Sequence, residues 1–384
     1  MRSVRSMRSA LLVLASALIL GLAGTAYLQG TAEPPDAPGA PAGEPTQETE
    51  AQASETDDLL LTRARAMFEP IPTEIPELEG NPFTAEKEIL GRALWFDPRL
   101  SSSWFISCNS CHNLGTAGVD LQPRSLGHAW QRGGRNSPTV LNAVFNLAQF
   151  WDGRAEDLAA QVVGPIQDAL EMNNTPERVI NTLSSMPGYV EMFGAAFPGA
   201  GEPVTFENIA LAIEVFESTL LTPDSPFDQF LRGDTGALNE QERTGLDLFM
   251  SRGCSGCHQG VNVGGTAYYP FGVVERPDAE ILPPGDVGRF AITNVEADRY
   301  AFKSPTLRNV GITPPYFHSG VVWELEDAVR IMGSAQLGQQ LTDEEVAAIT
   351  AFLHTLTGRQ PVVELPELPA ITQLTPKPVP GTRP

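Results

Sequence analysis

The sequence predicts a mainly α-helical protein of two similar domains, and three observations carry that prediction. All four cysteines fall in two Cys-x-x-Cys-His segments, Cys108-Asn109-Ser110-Cys111-His112 and Cys254-Ser255-Gly256-Cys257-His258. An amphipathic helix pattern precedes each segment, and no convincing strand alternation is found elsewhere. Two thiols three positions apart share one helical turn, where each can add across a haem vinyl group, and the adjacent His then reaches the iron as proximal ligand. A zinc ribbon would place its second Cys pair about 15 to 20 residues on, whereas Cys254 follows Cys111 by well over a hundred. A thioredoxin-like dithiol needs a βαβ context and no His after its second Cys. The fold class is therefore mainly α, with two cytochrome c-type domains that each hold one covalently bound haem. A length of 384 residues exceeds what one core usually holds and agrees with two domains.

At the N-terminus, Arg2, Arg5 and Arg8 precede an apolar run from Ala10 to Leu28, the pattern of an export signal over residues 1–30. Haem attachment outside the cytoplasm requires such a signal, so the expected location is the periplasm. The run is long for a signal and close to the roughly 20 residues that span a bilayer. A cleaved signal and an inner-membrane anchor both stand, with small-x-Ala sites ending at Ala26 and Ala32. No cysteine is left over for a lipid anchor. Residues 31–58, rich in Pro, Ala, Glu, Thr and Gly, read as a disordered linker that suits either a cleaved precursor or a tether.

Thr84 caps a helix pattern in which Ala85, Ile89, Leu90, Ala93 and Leu94 share a face. Between the Cys segments, helix is expected over Ala155 to Val163, Pro176 to Ser184 and Thr205 to Leu221. Asn239 and Glu242 have capping-box spacing before the apolar face of Leu246, Phe249 and Met250. Gly260 to Gly288, rich in Gly, Pro and aromatics, reads as loop. Helix returns at Leu325 to Met332, and a second capping box, Thr342 to Glu345, leads into Val346, Ile349, Phe352, Leu353 and Leu356. That last helix should cross the one starting near Asn239. The tail from Pro361 to Pro384 holds too many prolines for a continuous helix and should lie extended on the surface.

A haem iron takes two axial ligands. His112 and His258 supply one each, which leaves His128, His318 and His354 among the histidines. His354 falls inside the final helix pattern and reads as structural. A thioether favours ferrous iron and a high potential; Met332, at the end of its helix, is the best placed of the eight methionines for the second haem, whereas Met250 reads as core. Asp plus Glu total 47 against 25 for Lys plus Arg, a net charge of −22. This disfavours nucleic acid and favours steering of a basic protein partner; the competing reading is that acidity keeps an exported protein soluble.

Several runs now gain meaning together: Leu94-Trp95-Phe96-Asp97-Pro98-Arg99-Leu100-Ser101, the first Cys segment, Asn136-Ser137-Pro138-Thr139-Val140-Leu141-Asn142, Phe150-Trp151-Asp152-Gly153-Arg154, Pro305-Thr306-Leu307-Arg308-Asn309-Val310 and Pro315-Tyr316-Phe317-His318-Ser319-Gly320. With the two haem segments, they resemble the bacterial di-haem cytochrome c peroxidases, in register from Pro82 to Gly358. The resemblance implies a low-potential peroxidatic haem domain at 59–222 and a high-potential electron-transfer haem domain at 223–358, followed by the Pro-rich tail at 359–384. His128 matches the removable distal ligand of the first iron. Trp151 matches the tryptophan between the haems, and Glu171 the distal acid and base. His258 and Met332 match the axial pair of the second haem. Asn136, Thr313 and Pro315 match the positions that hold a calcium ion between the domains; His318 receives no role.

The resemblance further implies that hydrogen peroxide is reduced with electrons from a small donor such as a c-type cytochrome or cupredoxin, in a protein that is commonly a homodimer. Two other functions compete: a related di-haem oxidase that completes a tryptophan-derived quinone in a partner protein, with tyrosine in place of methionine on its second iron, and a non-enzymatic di-haem electron carrier.

Overall fold

The computed structural model describes residues 58–381; the export signal, most of the linker and the last three residues lie outside them. Helix α1 covers residues 58–65. It is followed by α2 (Ala85–Phe96), α3 (Cys108–Cys111), α4 (Leu158–Gln167), α5 (Pro176–Ser184), α6 (Pro187–Ala196) and α7 (Phe206–Ser218). The second half carries α8 (Pro226–Arg232), α9 (Glu240–Ser251), α10 (Phe290–Thr293), α11 (Leu325–Leu337) and α12 (Asp343–His354). One small sheet interrupts the helices, β1 (Tyr268–Pro270) antiparallel to β2 (Ala301–Lys303), with Tyr269 opposite Phe302. Among the described residues, no helix is long and apolar enough to cross a membrane.

The caps form as their spacing predicts. Thr84 Oγ1 accepts from the Lys87 amide at 3.2 Å. Asn239 and Glu242 exchange side chain-to-backbone bonds of 3.0 and 2.8 Å, and Thr342 and Glu345 do so at 3.3 and 3.0 Å. Other boundaries move. Asp157 caps α4 through the Ala160 amide at 2.7 Å, so that helix begins after Ala155. Helix α11 runs on to Leu337, where Gly338 takes a left-handed φ of 62°; Met332 therefore lies within the helix and not at its end. Ile89 is 48 % exposed, and Gly91 takes the buried place beside Leu90.

That exchange has a packing reason. In the first half α2 crosses α7 so closely that a Cβ on Gly91 would fall on the Ala212 carbonyl. In the second half α9 crosses α12, as expected for the last helix, and a Cβ on Gly245 would fall on the Ala348 carbonyl. The duplication extends further. Ser137 to Asn142 and Ser304 to Asn309 share the order Ser-Pro-Thr-x-x-Asn. In each, the threonine hydroxyl accepts a backbone bond at 3.1 Å, from Leu141 and from Arg308. Both asparagines are left-handed, with φ of 59° and 63°, a conformation asparagine tolerates better than most residues.

Two apolar cores result, one built on α2 and α4 to α7, the other on α8, α9, α11 and α12. The chain ends cross over between them. Leu60, Leu61, Ala64 and Phe68 enter the second core, although numbering places residues 59–71 at the head of the first domain; Ile71 is fixed there by its amide bond to Asp228 at 3.1 Å. The tail lies extended, as its prolines require, and it packs on the first core through Val363 and Leu368. Arg99, paired with Asp97 at 2.6 Å, donates to the Pro369 carbonyl at 2.7 Å. Ser185 bonds Thr375 at 2.7 Å, and the Val379 amide bonds the Ser102 carbonyl at 2.8 Å.

The halves are joined by buried polar groups. Arg135 bonds Asp152 and Asp286 at 2.6 Å each, which holds Asp286 below the usual carboxylate range despite its burial. The Thr222 hydroxyl accepts from Asn142 at 2.7 Å and from Asn309 at 2.9 Å.

Candidate active site

Cys108 and Cys111 occupy the single turn of α3, whose start is closed by reciprocal Ser107 and Ser110 bonds. His112 follows, and its Nδ1 lies 3.0 Å from the Pro138 carbonyl. A carbonyl only accepts, so Nδ1 carries the proton and Nε2 keeps its lone pair for iron, the outer-shell arrangement expected of a metal-bound imidazole. The second segment repeats it. Cys254 opens a short 3-10 turn after Gly253 (φ 101°), and His258 Nδ1 lies 3.3 Å from the Val263 carbonyl. Burial lowers both imidazoles, His258 to about 4, which favours the neutral form that an imidazole needs in order to ligate a metal.

Above the first segment lies a cavity of about 370 Å³ whose walls include Cys108, Cys111, His112, Trp151, Glu171 and Asn136. Two buried polar atoms on its walls, Trp95 Nε1 and Glu217 Oε2, have no hydrogen-bond partner. Paired thiols, a proximal imidazole, an aromatic wall and unspent polar atoms fit a haem at this place.

Glu171 sits in the turn after α4, with its amide bonded to the Asp168 carbonyl at 3.1 Å. Burial pushes its carboxyl above the ordinary value; the like charge of Asp168 adds to that rise and Arg154 opposes it. The Glu171 carbonyl accepts from the His128 amide at 2.7 Å, so the two segments are fastened together. Gly127 lines the cavity, but His128 does not. The His128 Nδ1 lies 3.2 Å from the Ser102 hydroxyl, and a Cβ on Gly381 of the tail would come within 2.7 Å of its Nε2. Ala129 and Trp130 follow with φ of 55° and 65°, conformations that cost a non-glycine residue free energy.

Trp151 lines the cavity and its indole N–H donates to the Asn136 carbonyl at 2.8 Å. Its own carbonyl accepts from Lys303 of β2 at 2.8 Å, which ties it to the second half. Asn136 in turn donates its amide to the His318 carbonyl at 2.8 Å, and its Nδ2 donates to the Gln122 carbonyl at 2.9 Å, leaving Oδ1 for another partner. Asn136 thus lies against His318, three residues after Pro315 in the chain. His318 stacks on Phe302 at 4.3 Å, and burial lowers its imidazole to about 4. Its 3.8 Å approach to Asp286 is thus not an ion pair. Among the described residues no group of three His, Cys, Asp or Glu side chains is placed to hold a metal ion; an amide and backbone carbonyls are a different donor set. Met332 is half-buried on the face of α11 that carries Leu325, Ala328 and Val329. His354 is exposed at the end of α12, over Gly311. Met250 is buried in the second core, as expected.

Sequence reading passed over Glu217 and Trp95. A glutamate in a helix pattern reads as a solvent face, and only the crossing of α2 with α7 turns it inward.

Residues 85–236 match the family model described as di-haem cytochrome c peroxidase, and residues 243–357 match that of cytochrome c. A cytochrome c551 peroxidase of Pseudomonas aeruginosa is 59 % identical over 321 residues, 84 % of this chain and 93 % of the relative. One from Nitrosomonas europaea is 48 % identical over 314 residues, 82 % and 91 % of the two chains. A solved MauG-like protein associated with microbial copper homeostasis is similar at 27 % identity with a TM-score of 0.67, over 76 % of this chain and 93 % of that one. Two haem-binding segments, duplicated helix crossings and these similarities lead to one conclusion: this chain belongs to the di-haem cytochrome c peroxidase family.

Proposed function

We propose that this peroxidase works in the periplasm, reducing hydrogen peroxide to two waters at the first haem with electrons that a small donor protein delivers to the second. The observation that carries this reading is the single cavity shared by Cys108, Cys111, His112, Trp151 and Glu171. When bound, the two haems supply the electron transfer and the site of peroxide reduction. The first is held by Cys108, Cys111 and His112; the second by Cys254, Cys257, His258 and Met332. Glu171 takes a proton from one peroxide oxygen and returns it to the other as it leaves, so the O–O bond breaks without building charge on either oxygen. His128 is the removable ligand of the first iron; its amide bond to the Glu171 carbonyl, which keeps it next to the distal acid, supports this reading. Trp151 bridges the halves on the electron route.

The net charge of −22 suits a basic donor surface. The apolar run before the linker accounts for export and serves as cleaved signal or tether, and the protein works as a homodimer. The competing oxidase reading requires a tyrosine ligand in place of Met332, and a pure electron carrier has no use for Glu171. Steady-state peroxide turnover with reduced cytochrome, run beside an assay on a quinone-precursor protein, separates the three; activity in the second assay alone would overturn the peroxidase reading.

Met332→Ala should lower the potential of the second haem by a sizeable part of the roughly 0.8 V that axial ligands span, with both haems still attached. Redox titration checks this, and an unchanged high-potential couple would remove Met332 as ligand.

Calcium is held by Asn136, Thr313 and Pro315, oxygen donors that suit a hard cation completed by water. Chelation should leave electron entry intact and keep the first iron closed. Spin-resonance spectra of the half-reduced, calcium-free protein provide the check: normal conversion to high spin would show that the ion plays no part in opening.

A further inference from the structure

The two helix crossings fix a residue-by-residue correspondence between the halves. Gly91 and Gly245 lie under the Ala212 and Ala348 carbonyls. One turn on, Trp95 packs on Phe216 at 5.7 Å and on His112 at 6.2 Å; Phe249 packs on Phe352 at 5.3 Å and on His258 at 6.4 Å. With both helices in register, the residue after Phe216 is Glu217 and the residue after Phe352 is Leu353. Leu353 is an ordinary core residue. Glu217 is 3 % exposed, lines the first cavity beside Cys108, and keeps one oxygen unpaired. Trp95, 2 % exposed, likewise carries an unpaired indole N–H where the second half has phenylalanine. A buried carboxyl without a partner costs free energy that leucine would not, so the fold does not require it.

We propose that Glu217, with Trp95 beside it, lowers the potential of the first haem, adding to the difference that a thioether on the second haem makes. This rests on the division of labour proposed above. A carboxylate that shares a low-dielectric cavity with a bound haem would stabilise its ferric state, because the attraction would be weakly screened there. The same placement couples electron and proton. Burial, with the like charge of Glu214 one turn away, pushes Glu217 up to about 8; beside a bound haem the ferric state would favour the ionised carboxylate and the ferrous state the protonated one.

The other charges near it are accounted for. Glu214 is held by Asn81 at 2.8 Å and faces Lys87 and Asp157. Cys108 is consumed as a thioether. Elsewhere on the cavity wall Arg135 is paired with Asp152 and Asp286, and Arg154 with Asp152; Glu171 and Asp168 also line the cavity. His112 stays neutral on the iron.

The test is spectroelectrochemical titration of both haems in the intact protein across the pH range around 8, for wild type, Glu217→Leu, Glu217→Gln and Leu353→Glu, with Met332→Ala marking the second haem. The wild-type first haem should titrate below the second and fall further as pH rises. Either change at Glu217 should raise its midpoint and flatten its slope while the second haem stays put; Leu353→Glu should lower the second. A first-haem midpoint and slope unchanged in Glu217→Gln would overturn the assignment and leave the division of labour standing. A wild-type first haem above the second would overturn both.

Discussion

Glu171→Gln is expected to slow peroxide cleavage by about 10² to 10⁴ fold, with both haems attached and electron entry through the second unaffected. Glutamine keeps the size and hydrogen-bonding reach of the residue but cannot carry a proton between oxygens. The backbone bond from His128 to the Glu171 carbonyl does not involve the side chain, so the loop should stay in place. The pH dependence has a definite sign. Free Glu titrates near 4.3, and burial with Asp168 beside it raises Glu171 above that. The base form is present above the raised value and is lost as pH falls through it, so the acid limb of the wild-type reaction should lie above the ordinary Glu range and disappear in the variant. Rapid mixing of half-reduced protein with peroxide measures both. Wild-type rates in the glutamine variant would transfer the proton role to another group.

The second large effect is on stability. Arg308→Met should cost about 3–5 kcal/mol, because Arg308 and Asp228 form an ion pair at 2.8 Å with both side chains fully buried, and removing one partner strands the other charge. Arg308 also donates to the Glu69 and Val261 carbonyls at 2.9 Å each, so the loss loosens the N-terminal segment from the second core. Burial lowers Arg308 and Asp228 opposes that shift, the balance expected of a buried charge that is offset by an opposite one. Guanidinium unfolding of the holoprotein gives the number. A double variant with Asp228→Leu should recover part of it, since no charge is then left unpaired. A loss under about 1 kcal/mol for Arg308→Met alone would mean that water or rearrangement satisfies Asp228.

Much of the fold was legible in the chain because local signals carried it. The capping boxes at Asn239 and Thr342 form as read, since cap and partner lie three residues apart and no distant contact competes. Less was legible where long-range packing chose between local options. Ile89 continues the apolar period of its helix, yet Gly91 is buried instead, because only a glycine lets the α7 backbone approach. The helices α6 and α8 were not anticipated; each is short and begins with proline at its first turn. The small sheet pairs β1, inside the Gly260 to Gly288 stretch that reads as loop, with β2 more than thirty residues on.

By itself the sequence determined the chemistry that covalent bonding imposes: two Cys-x-x-Cys-His segments, hence two attached haems with His112 and His258 beside them. It also determined the family, since runs such as Leu94 to Ser101 are contiguous and need no folding to be recognised. The tertiary structure alone decided which core the N-terminal segment enters, that the tail reaches His128, that Arg135 joins Asp152 to Asp286, and that Glu217 faces the first cavity while Leu353 faces the second core. The physical reason is the same in each case: a residue's type fixes what it can do, but burial and the company of groups far away in the chain fix its charge, its partner and therefore its role.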